Sequence, residues 1–297
     1  MGTIIRRKLL KCLNMRLFNS SMLIILPIFI IILSAPRAEA FHAKVFPSRI
    51  HPGDAFMIRV TGLEEAAEPS ALFKKKPLHF SKCGKGCFVA IGAVDIKSKT
   101  GLYRISLKTG QEKTALKLSV LKGRFKTIHL TLPEDKVTLS PEDTERINRE
   151  SSLLASIWRI ESERLWDGGF ILPLPNPFST PFGVNRIINK KTVSIHRGLD
   201  LKGKDGEEIR ASNRGRVVLA EELFFGGNTV ILDHGQGIFT IYMHMSAFNV
   251  LLGDIVQKND VIGFVGSSGR SSGPHLHFGV KVMRVTANPV SITGLEL

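Results

Sequence analysis

Long hydrophobic runs, cysteine and acidic residues are all scarce in this chain of 297 residues. It has three cysteines, and 26 acidic against 41 basic side chains, for a formal net charge of +15. So few cysteines cannot make a dense covalent framework. Stability must come from a buried core, for which the apolar fraction is ordinary. No nucleic-acid-binding motif accompanies the positive charge. No His-Glu-x-x-His motif is present, which excludes the helical metallopeptidase arrangement. Internal repeats and extended low-complexity segments are absent too, leaving a globular chain long enough for about two domains.

One apolar run stands out, Met22 to Leu33, and it is too short for a comfortable membrane span. Arg6, Arg7, Lys8, Lys11 and Arg16 precede it, and Ala38-Glu39-Ala40 follows as a small-x-small cleavage site. The pattern predicts a signal peptide over residues 1–40, cut after Ala40, with an uncleaved inner-membrane anchor as the alternative. Cys12 lies before the apolar run, so it is not placed as a lipoprotein cysteine. Residues 1–40 carry six Lys/Arg and one Glu, so the exported chain keeps +10 of the +15. Positive charge after export suits an acidic polymer or envelope surface as partner, rather than nucleic acid. The expected location is the periplasm or cell envelope, with no stable membrane insertion after cleavage.

Cys83 and Cys87 remain in the exported chain, around a glycine-rich turn. An oxidising compartment favours a small disulfide or two idle thiols over a metal pair, because no second Cys/His pair lies nearby at matching spacing.

Residues 41–132 show short alternating strands. Phe56, Ile58 and Val60 alternate, as do Tyr103, Ile105 and Leu107, and then Leu116, Leu118 and Val120. Turn signals such as His51-Pro52-Gly53-Asp54 separate them, and the pattern predicts a small accessory domain resembling a β-sandwich. The Lys74-Lys75-Lys76 run reads as a solvated face. Residues 133–167 form a linker with a helix. Ser140 can cap it, Pro141 suits its first position, and Asp143 stands in for the usual capping-box Glu. No Gly or internal Pro interrupts the chain from there to Trp166, and Gly168-Gly169 marks the end. Ile147, Leu154, Ile157 and Trp158 make an apolar stripe that packs on a domain.

Residues 168–297 are β-rich, with glycine at nearly every turn. Side chains of a strand alternate between its two faces. In SSGPHLHFGV, His275, His277 and Gly279 share one face, while Leu276, Phe278 and Val280 share the other. In IHRGLDL, His196, Gly198 and Asp200 fall together. In FTIYMHM, Thr240, Tyr242 and His244 fall together, opposite Phe239, Ile241, Met243 and Met245. Three strands therefore each pair a face bearing His or Asp with a largely apolar one. His234, in LDHGQG, follows Val230 and Leu232 in parity and reads as structural.

Zinc favours four-coordinate sites of His nitrogen and carboxylate oxygen, with one position left for water when the site is catalytic. His196 and Asp200 supply two ligands, with Gly198 leaving room between them. One histidine of the His275/His277 pair supplies a third, and the others can move protons or stabilise charge. Parity does not say which histidine is which.

The blocks HRGLD, GGNTVILDHGQGIFTIYMHMS and GDIVQKNDVIGFVGSSGRSSGPHLHFGV occur in this order. Together they resemble the lysostaphin/LytM-type zinc peptidases of bacterial cell walls, over residues 170–290. The resemblance implies an antiparallel β core with a groove for one catalytic zinc ion, and cleavage of peptidoglycan peptides. Carried over by motif, His196, Asp200 and His277 are the metal ligands, and His244 and His275 the catalytic pair. Asn185 and Arg186, after PFG, sit where the family opens its domain, as groove lining or as turn residues. The whole chain is thus expected to be mainly β: a β-sandwich-like domain, a helical linker, and a C-terminal antiparallel peptidase domain over residues 168–297. The expected function is a secreted zinc endopeptidase of peptidoglycan. The alternative is a catalytically inactive wall-binding protein or an activator of a separate hydrolase.

Overall fold

The computed structural model describes residues 41–63, 67–131, 139–189 and 192–297. The expected signal segment lies outside the described residues. No helix among them is long and apolar enough to cross a membrane.

The accessory domain is a sandwich of two sheets. One contains, in spatial order, His42–Phe46, Ala55–Thr61, Cys87–Ala93 and Phe80–Gly84. The other contains Arg49–Ile50, Glu112–Val120, Gly101–Thr109, Ser70–Phe73 and Lys76–Leu78. The alternation in the sequence decides what lies between them. Phe56, Ile58 and Val60 from the first sheet pack with Ile105, Leu107, Leu118 and Val120 from the second. A disulfide joins Cys83 to Cys87 across the hairpin of the first sheet.

The two central strands of that first sheet are buried on both faces. AFMIRVT and CFVAIGA carry apolar residues at odd and even positions alike, the pattern of a strand covered on both sides. Ala55, Met57, Val89, Ile91 and Ala93 join the core of the C-terminal half, beside Phe278, Val280 and Ile292. Polar contacts reinforce the junction: Ser291 Oγ accepts from the Ala55 N–H at 2.8 Å, and the Asn288 N–H donates to Gly53 O at 2.7 Å.

The helix spans Pro141–Ile157 and opens with the capping box, Ser140 Oγ accepting from the Asp143 N–H at 3.0 Å. Ile157, Leu154 and Trp158 pack on Leu219, Ile231 and Phe239, as the stripe predicts. The helix stops nine residues before Trp166, however, although nothing in the sequence breaks it. Tertiary contacts outweigh the local propensity there. The Trp158 ring meets Phe239 edge-on at 5.3 Å, and Trp166 is buried in the main core. Between them the Leu165 N–H donates to His234 O, and Ser162 Oγ donates to Asp233 Oδ2. A continued helix would forfeit these bonds.

The C-terminal half is built on an antiparallel sheet. Its order is Phe178–Thr180, Leu199–Lys202, His275–Val282, Ile238–Phe248, Gly227–Asp233, Gly215–Leu223 and Ile255–Val256. A small separate sheet lies against its start. Thr127–Leu130, from the segment after the sandwich, pairs in parallel with Asn185–Ile188, which pairs antiparallel with Thr192–Ile195.

Candidate metal centre

Leu199–Lys202 pairs with His275–Val282 so that Asp200 lies opposite His277, and Leu199 opposite Phe278. Leu199, Leu201, Leu276, Phe278 and Val280 are all fully buried in the main core. Burying that apolar set forces Asp200, His275 and His277 to the other face, since a strand cannot turn one residue without turning its neighbours.

His196 arrives differently from the reading by parity. The strand Thr192–Ile195 ends just before it, and His196-Arg197-Gly198 is a bend rather than part of a continuous strand. The bend is pinned by the His196 N–H donating to Val184 O and by the Gly183 N–H donating to His196 O. Gly198 is needed for close approach. A Cβ there would press on His277 Nε2 and stand 2.7 Å from Phe278 O.

The three predicted ligands meet. Asp200 Oδ1 is 2.9 Å from His196 Nε2 and 2.7 Å from His277 Nδ1, and the two imidazole nitrogens are 3.1 Å apart. Tetrahedral ligands each ~2.0 Å from a zinc ion stand about 3.3 Å from one another, so this donor set fits the ion in number, type and spacing. His196 Nδ1 donates to Pro181 O at 2.8 Å, which leaves Nε2 as the free donor toward the metal point. Burial would raise the Asp200 carboxyl, but its contacts with His196 and His277 outweigh that and hold it well below the usual range. Burial lowers His277 despite the attraction of Asp200. Both shifts favour the forms that bind metal.

His244 also reaches the site, by a route the alternation misses. Tyr242 and Met245 both enter the core, so the parity of this strand breaks between them. The pairing shifts register between Asn228 and Val230, and His244 has φ +66°. This local bulge turns His244 out of the core that holds Tyr242. Its ring then lies 4.9 Å from that of His275 and 6.1 Å from that of His277. Left-handed backbone at a non-glycine residue costs about 1–3 kcal/mol and is held by its surroundings. Here the His244 N–H donates to Gly226 O at 2.7 Å.

The loop before the last long strand orients both of these histidines. His244 Nδ1 donates to Ser268 O at 2.9 Å, and His275 Nδ1 donates to Gly273 O at 2.8 Å. Each ring therefore keeps Nε2 free to accept a proton. Burial pushes His244 down to about 4, so it is neutral near pH 7. In the sequence, GSSGRSSG reads only as a glycine- and serine-rich turn. Orientation by backbone carbonyls has no residue signature, so nothing in the sequence could mark it.

Arg186 lies on the groove, Nη2 3.6 Å from Asp200 Oδ2, which decides between lining and turn roles. The Asn185 backbone N–H instead bonds Lys126 O. His234 is structural as expected: fully buried, it bonds Arg214 O through Nδ1 and Thr240 Oγ1 through Nε2.

Comparison with known proteins agrees with this geometry. The chain is 40% identical over 127 residues to the DD-carboxypeptidase/endopeptidase Mpg of Neisseria meningitidis, covering 42% of this chain and 29% of that protein. It is 37% identical over 100 residues to lysostaphin of Staphylococcus staphylolyticus, covering 33% of this chain and 19% of that one. The chain thus spans under a third of the length of these relatives. A putative peptidase M23 from Pseudomonas aeruginosa has a similar structure, with a TM-score of 0.64 and 27% identity over 82% of this chain and 95% of that one. Residues 194–289, which hold all five of these histidine and aspartate positions, match and belong to Peptidase family M23.

Proposed function

We propose that this chain is an exported zinc endopeptidase that hydrolyses peptide bonds of bacterial peptidoglycan. The observation that carries the reading is the meeting of His196, Asp200 and His277 at one point beside two further histidines with free Nε2 atoms. Bound there, zinc supplies Lewis acidity to an amide carbonyl and acidifies water. The chain supplies the proton handling. His244 and His275 can each accept a proton at Nε2 and return it to a leaving amine, while their Nδ1–H bonds fix the rings. The relatives named for peptidoglycan or endopeptidase activity support the substrate class. A chain that only bound the wall would have no use for both catalytic histidines beside a full ligand set. The signal-like residues 1–40 support export to the periplasm or envelope.

The test is incubation of the zinc-loaded protein with purified peptidoglycan, with released ends identified by mass spectrometry. New amino and carboxyl ends that vanish with chelator are the expected result. No new ends at saturating zinc would leave a binding or activating role.

A further inference from the structure

His244 owes its place to the tip of a hairpin. The strands Gly215–Leu223 and Gly227–Asp233 pair antiparallel, and Phe224-Phe225-Gly226 joins them. Gly226 O accepts the His244 N–H, which holds the left-handed backbone of that residue. Phe225 O accepts the Arg270 N–H at 3.1 Å, and the Asn228 N–H donates to Ser268 Oγ at 2.9 Å. The tip thus also carries the loop whose Ser268 O fixes His244 Nδ1. Contact between tip and loop is backbone on backbone. A Cβ on Gly227 would run into Ser268, and one on Gly269 into Gly227 N. A shift of the tip therefore moves His244 at both its main-chain and its ring hydrogen bonds.

The linker helix anchors this tip. Glu150, in Pro141–Ile157, accepts from the Phe224 N–H with both carboxylate oxygens, Oε2 at 2.9 Å and Oε1 at 3.1 Å. Arg146, one turn earlier, donates to that carboxylate through Nε at 2.7 Å and to Glu222 O through Nη2 at 3.3 Å. The Glu150 side chain is only 17% exposed, so water competes little for a bond strengthened by its charge. An exposed i, i+4 ion pair contributes little to a helix by itself. Here the pair grips main chain 74 residues away. The helix is already seated by Leu154 and Ile157 on Leu219, Ile231 and Phe239, so the polar clamp serves the tip.

We propose that Glu150 is a positioning residue for His244: held by Arg146, it fixes the hairpin tip that sets both the backbone and the ring of this histidine. The inference rests on the peptidase reading for the catalytic role of His244. It makes the helix between the sandwich and the peptidase domain part of the active apparatus as well as a linker.

The test combines turnover with amide exchange, both on the zinc-loaded protein. With soluble cross-linked peptidoglycan fragments as substrate, Glu150→Ala is expected to lower kcat about ten- to hundredfold, the size of a hydrogen bond to a charged group. KM and zinc content should stay the same. Glu150→Gln keeps an oxygen for the Phe224 N–H and should recover most of the rate. In a His244→Ala background, Glu150→Ala should add no further loss, because its effect runs through that ring. By NMR, Glu150→Ala should speed amide exchange at His244 and Arg270 by about tenfold or more, while Ile231 in the core of the sheet keeps its rate. Full kcat in Glu150→Ala, zinc loss in it, or an equal further loss in the His244→Ala background would overturn the proposal. So would exchange that quickens at Ile231 as much as at His244, or at neither. If the unaltered protein cleaves nothing, the peptidase reading fails, and the exchange rates alone decide whether Glu150 positions His244.

Discussion

Asp200 and His277 face each other across two antiparallel strands, with Oδ1 2.7 Å from Nδ1. That pairing joins residues 77 positions apart, and it is set by hydrophobic burial of their neighbours. A one-residue slip of either strand would send its ligand into the core. The metal point is therefore as rigid as the core beneath it.

Division of labour among the histidines follows from this geometry. His277→Ala should lower zinc content and hydrolysis together, since it removes one of three ligands. His244→Ala and His275→Ala should keep zinc near one per chain while hydrolysis falls by about two to four orders of magnitude. Atomic spectroscopy after exhaustive dialysis, beside peptidoglycan cleavage, reads both. Zinc loss in His275→Ala equal to that in His277→Ala would show these roles to be wrong.

Gly198→Ala should damage the site without touching a ligand. The new Cβ meets His277 Nε2 and Phe278 O, one of them backbone that cannot swing aside. Overpacking of this kind costs about 1–3 kcal/mol. Zinc affinity and melting temperature should both drop, and zinc titration with thermal melts checks this. A variant with native zinc affinity would mean that the bend can yield.

Stability should fall in mild acid, and His234 should contribute. Burial lowers this histidine to about 4 from an ordinary 6.5. Between those values the unfolded chain takes up a proton that the folded chain refuses. The contribution is therefore fully present above about pH 6.5 and is lost as the pH falls toward 4. It amounts to ~3 kcal/mol at most. Urea unfolding at pH 7.5, 6, 5 and 4 should show the decline, with a shallower slope in His234→Gln. The same slope in both proteins would refute the assignment.

Residues 168–297 made alone should be less stable than residues 41–297. The shorter chain loses Met57, Val89 and Ile91 from its core and Thr127–Leu130 from beside Asn185–Ile188. A melting temperature lower by about 5 °C or more is expected, corresponding to a loss of 1–2 kcal/mol or more. Circular dichroism melts decide it. Equal melting would show that the sandwich is an independent module.

Processing at Ala40/Phe41 is the expected outcome of export, from the small residues that follow the apolar run. N-terminal sequencing of protein recovered from the envelope should begin at Phe41. A start at Met1 would favour the uncleaved anchor.

The sequence by itself determined the parts ruled by local chemistry. Alternation placed Phe56, Ile58 and Val60 in the sandwich, and Leu276, Phe278 and Val280 in the main core opposite the histidines, because burial acts on each face of a strand as a unit. Ser140, Pro141 and Asp143 announced the start of the helix. Motif resemblance named the five candidate site residues. Tertiary structure alone decided how two of them arrive. His196 comes from a bend held by Val184 and Gly183, and His244 from a bulge that breaks the parity between Tyr242 and Met245. It also decided where the helix ends, how one sandwich sheet serves two cores, and that Arg186 stands beside Asp200. Alternation and capping depend on residues a few positions apart. A bulge, an unwound helix end or a shared sheet depends on what packs against it from far along the chain.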